Sequence, residues 1–118
     1  MEAHRRLDLA VMSFNIPEEI AAMKSSEQWS STGRGAKTLV KNDDLRIVLV
    51  GLSAGKTIQE HRAEGAISVA VAQGAIRFTA EGKEQVLRSG GLLTLASALP
   101  HQVDALEDSA FVLTMVQS

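Results

Sequence analysis

The chain has 118 residues and a mass of 12.6 kDa, the size of one domain, and its 45% hydrophobic content is enough for a core that 3% aromatics leave mainly aliphatic. A net charge of -2 with scattered lysines and arginines offers no basic face to nucleic acid, and the lack of cysteine removes disulfides, thiolate nucleophiles and cysteine-based zinc sites. No apolar run approaches the roughly 20 residues of a membrane span, and Leu7 to Ile16 is broken by Asp8, Ser13 and Asn15 where a signal peptide needs an apolar core, so a soluble cytoplasmic protein with no membrane partner is expected.

Residues 1–35 read as an N-terminal arm. Asn15 to Glu19 supplies a capping side chain, a first-turn proline at Pro17 and two acids at the positive end of a helix dipole. Ile16, Ile20 and Met23 then share one face, which predicts a short helix from Pro17 to about Glu27 packed on the outside of the remaining chain. Trp29, the only tryptophan, comes just after it and is expected to seal the arm against the body.

Residues 36–118 change to short β-type runs separated by turn residues, the pattern of an all-β sandwich or barrel. The runs are 36–41, 45–52, 57–62, 66–73, 75–80, 83–87, 92–96, 102–106 and 110–116, with no helix between them to build parallel crossovers. In the fourth run Ile67, Val69 and Val71 alternate with small residues. In the second, Arg46, Val48 and Val50 alternate with Leu45, Ile47 and Leu49, so both faces are apolar and a homodimer contact is expected there. Gly51 to Thr57 imitates a phosphate-binding loop, but three residues separate its glycines where four are needed, and a strand comes next where the phosphate needs a helix N-terminus.

Two histidines carry the only constellation that reads as a site. His61 closes the third run and His101 stands beside the eighth, about forty residues later, so two distant strands can aim imidazoles at one interior point. The predicted pocket is lined by Gln59, His61, Ile67, Phe78, His101 and Met115, with Val69 and Val103 deeper. It is mostly apolar with a few convergent polar groups, as small-molecule sites are.

The spacing around these residues resembles that of the cupin superfamily. Gly55, five residues, His61 and then Gly74 fall on its first motif, and Gly90 and His101 fall on its second. Ala63 stands where that motif has a second His, Ile67 where it has Glu, Ala96 and Ala98 where the second motif has Pro and Gly, and Ala105 where it has Asn. The likeness spans roughly residues 45–116 and is strongest to small single-domain, RmlC-like "conserved barrel" cupins of unassigned activity, through Glu60 to Gly65. It implies an all-β double-stranded β-helix, the cupin jelly-roll barrel. Metal-bearing cupins use three His and one Glu; with half of that set missing the expected cofactor is none, the alternative being a divalent transition metal weakly held by His61 and His101, helped by Gln59 or Glu64. The function implied is small-molecule binding in a pocket around the two histidines. The alternative is a metal-dependent oxygenase or isomerase with a reduced two-His site, or metal-free base catalysis by either imidazole.

Overall fold

A computed structural model describes residues 6–62, 64–96 and 99–116, with backbone only at 60–62. Helices α1 (Ile16–Lys24) and α2 (Glu27–Thr32) precede nine strands: β1 (Arg34–Lys41), β2 (Leu45–Leu52), β3 (Thr57–Arg62), β4 (Ile67–Gln73), β5 (Ala75–Ala80), β6 (Lys83–Arg88), β7 (Leu92–Leu95), β8 (Pro100–Ala105) and β9 (Ser109–Val116). They form two antiparallel sheets, a five-stranded one in the order β1-β2-β9-β4-β7 and a four-stranded one in the order β3-β8-β5-β6. This is the double-stranded β-helix that the cupin motifs imply.

The turns are set by local chemistry. Asn42 Oδ1 accepts from the backbone N–H groups of Asp44 and Leu45, each at 2.9 Å, and closes the β1–β2 hairpin. Gly74, at φ 84, joins β4 to β5 where any Cβ would collide with the carbonyl oxygen of Asp108. The neighbouring hydroxyl of Ser109, fully buried, accepts from Ala75 N at 3.0 Å and has one proton to share between Glu107 O at 2.7 Å and Ala75 O at 2.9 Å, tying β5 to the start of β9.

Where one helix is predicted, the arm contains two. Ser25 caps α1, and the side chain of Ser26 accepts from Trp29 N at 3.2 Å, starting α2. Serine competes for backbone groups in this way and favours a cap over a helix interior. Trp29 therefore lies inside α2 and not beyond the helix. Gly33, left-handed at φ 69, ends α2 and turns the chain into β1.

The arm covers the outer face of the five-stranded sheet over β1, β2 and β9. Ile20 and Met23 of α1 are buried with Leu39, Val40, Leu49 and Ala110 in one cluster, onto which Met12, Phe14, Ile16 and Ile47 pack. A Cβ on Gly51 would run into Met23 and the Trp29 ring, so this glycine lets the arm lie directly on the sheet backbone. The outer face of β2 is therefore satisfied within the chain: Leu49 is 0% exposed beneath α1, while Val48 and Val50 face the opposite way into the core between the sheets. The sequence assigned that face to a partner subunit because apolar alternation shows that a strand is covered, not by what.

Candidate functional site

The core between the sheets contains a small internal cavity of about 80 Å³. It is lined by Ile67, Val69, Phe111, Leu113 and Val50 from the five-stranded sheet and by Ile58, Phe78, His101 and Val103 from the other. The strands place these residues in layers. Ile67 pairs with Met115 on β9 and with Leu95 on β7, and two residues further in Val69 pairs with Leu113 and Leu93. The first layer forms the rim of the barrel and the second forms its wall.

His101 is the only polar side chain among the described residues lining the cavity, and it is 7% exposed. Its ring stacks on Phe78, with centroids 5.3 Å apart and planes 12° from parallel. Nδ1 lies 3.1 Å from Leu99 O; a carbonyl can only accept, so Nδ1 donates the proton. In the neutral imidazole that tautomer makes Nε2 the acceptor, and the ring is held in one orientation by a backbone bond on one side and an aromatic face on the other.

The register brings the two histidines together: His61 lies directly opposite His101 across the β3–β8 ladder. Ile67 and Phe78 line the cavity, and Met115 packs on the same core without being part of the cavity wall. Gln59 does not face the cavity. It is exposed, and Ile58 holds the inward position. The cause is a β-bulge: Ile58 pairs with Val103 and His61 with His101, so Gln59 and Glu60 together oppose the single residue Gln102. One extra residue inverts a parity reading from that point on, and no glycine or proline announces it. Val50, Phe111 and Leu113 complete the wall; the alternation of β2 and β9 carried that signal. Glu64 is exposed in the β3–β4 turn, and Ala63 and Ala98 lie outside the described residues.

Among the described side chains, the cavity wall offers a metal no ligand besides His101. Ile67, 3% exposed, occupies the place of the carboxylate ligand and presents only carbon. Among the described residues no group of three or more His, Cys, Asp or Glu is placed to hold an ion. Larger hollows lie on the surface, one of about 520 Å³ between α1 and the end of β4 near Ala72, but it is an open shelf without a titratable group beyond Lys24. Among the described residues no helix is long and apolar enough to cross a membrane.

No protein-family model and no curated protein sequence matches the chain. Solved structures do. A cupin superfamily protein from Desulfitobacterium hafniense matches with TM-score 0.71 at 15% identity over 74% of this chain and 80% of its own. KdgF from Halomonas sp. matches with TM-score 0.67 at 26% identity over 73% and 80%. Salicylate 1,2-dioxygenase from Pseudoaminobacter salicylatoxidans, solved with gentisate, matches with TM-score 0.79 at 14% identity over 95% of this chain, which spans only 35% of the dioxygenase.

Proposed function

We propose that this chain, a small protein of the cupin superfamily, binds a small molecule in the interior of its barrel between the two sheets, at the side of the barrel marked by His101 and His61. The observation that carries the reading is a partly open cavity lined by apolar side chains with one oriented imidazole in its wall. At about 80 Å³ it has roughly half the ~150 Å³ of an engineered apolar cavity that takes benzene, so the part of a ligand that enters is a short aliphatic group and not an aromatic ring.

The oxygenase reading is weaker. The dioxygenase neighbour, at 14% identity, speaks for the barrel alone, and a wall with Ile67 at the carboxylate position lacks the ligands that would hold iron.

The test is chemical. Protein purified without denaturant and then unfolded should release a small molecule detectable by untargeted mass spectrometry, and Ile67→Phe, which fills the cavity, should release none. If wild type and variant release the same background, the binding reading is wrong.

A further inference from the structure

We infer that Arg46 turns the rim of the barrel into a carboxylate site, so that the molecule taken by the cavity is a short amphipathic monoanion with its apolar end inside. This rests on the cavity-binding reading and adds the charge of the ligand.

Arg46 alternates with Val48 and Val50 on β2, and both of those are buried in the core between the sheets. The β2–β9 register is unbroken and sets Arg46 opposite Met115, which in turn lies opposite Ile67 of the cavity wall. Arg46 thus occupies the rim layer two strands from Ile67, about 10 Å away at ~4.8 Å per strand. Its side chain is half-buried. Its Nε is buried and has no hydrogen-bond partner, the one such side-chain atom among the described residues. A buried guanidinium N–H without an acceptor carries an uncompensated desolvation cost, which native proteins avoid unless something else supplies the acceptor.

A second observation points the same way. On its other side Arg46 faces Lys41, its direct partner across the β1–β2 ladder. Residues directly opposite in an antiparallel pair project from the same face, and like charges so placed repel. Among the described residues neither cation has an acid within ion-pair distance. Two adjacent cations, one with an unpaired buried donor, form a receptor for an anion. The planar Nε–H and Nη–H fork matches the two oxygens of a carboxylate. The adjoining wall then selects the rest of the ligand: a dianion or polyol would strand polar groups against Ile67, Val69 and Leu113, whereas a few methylenes would be buried at no such cost.

Titration of the full chain with butyrate and with butan-1-ol, followed by NMR, tests this. Wild type should prefer butyrate by about tenfold or more, as expected for a charge-assisted pair. Arg46→Met, which keeps the apolar stem, should reduce butyrate to the butanol level and leave butanol unchanged. Without ligand, Arg46→Met should melt at or above the wild-type temperature, since it removes an unpaired donor and a repulsion; should that variant not fold, Arg46→Gln serves for the titration. Equal affinity of wild type for butyrate and butanol overturns the inference and leaves the cavity reading standing. Inorganic phosphate or acetate binding as tightly as butyrate overturns it too, because the anion site would then be unconnected to the cavity. If neither butyrate nor butanol binds, the cavity reading fails and the inference fails with it.

Discussion

Met23→Ala should loosen the arm from the barrel, and the sole tryptophan reports it. Met23 is 8% exposed, lies over Gly35 and Gly51, and with Trp29 covers the sheet where neither glycine offers a side chain. Truncating a buried Met to Ala costs about 2–5 kcal/mol. At the edge of a two-layer contact, where the helix can settle onto the glycines, the lower end of about 2 kcal/mol applies. With an m-value in urea of about 1–3 kcal/mol/M for a domain of this size, the midpoint should fall by roughly 1 M. Trp29 fluorescence should redden ahead of the loss of β-sheet circular dichroism, and both midpoints should be independent of protein concentration because the covering is intramolecular. A midpoint that does not move, or one that climbs with concentration as a subunit contact would require, refutes the covering of β2 by its own arm.

Ser109→Ala leaves the buried N–H of Ala75 without its partner, while the Ala75 carbonyl still accepts from Leu106 N at 2.9 Å, so thermal unfolding should show a loss of about 1–3 kcal/mol; a neutral result would mean that water replaces the hydroxyl. Protein dialysed without chelator should carry less than one equivalent of Fe, Mn, Ni or Zn per chain by elemental analysis, and a full equivalent would require a different ligand set from the two histidines. With the outer face of β2 covered, we propose the uncovered outer face of β4 and β7 as the homodimer contact, where Leu92 is 66% exposed beside Ala70. Light scattering at micromolar concentration should then give twice 12.6 kDa for wild type and 12.6 kDa for Leu92→Asp; a wild type already at the lower mass rejects the dimer.

The strands were legible because their ends are marked by residues with no alternative. Glu81 and Gly82 sit at φ 53 and 72, the mirror-image turn that fits a right-twisted hairpin, and the Glu-Gly step separates two β-type runs. Gly55, Gly74 and Gly90, the motif glycines, all have positive φ, which is why the cupin spacing survives where its ligands have changed. The strand pairing that sets His61 opposite His101 was not readable itself, but the motif spacing stood in for it. What escaped was whatever depends on contacts distant in sequence or on a single inserted residue. The bulge in β3 moved Gln59 outward without any local sign. The break at Ser25–Ser26 is a contest between a serine cap and helix continuation that differs by little. The burial of Leu49 depends on where a helix some thirty residues earlier comes to rest. Arg46 was visible in the alternation of β2, but its unpaired Nε exists only once Met115 and Lys41 are beside it.

The arm gives the two sheets unequal freedom. β2 is gripped from both faces, by α1 outside and by the core within, so the five-stranded sheet forms a stiff back wall. β6, by contrast, is an edge strand bonded only to β5 and mostly exposed along its length. Any widening of the barrel to admit a molecule must come from the four-stranded side, pivoting away from the fixed wall. Amide hydrogens of β2 should outlast those of β6 in exchange, and the difference should shrink when a ligand holds the two sheets together.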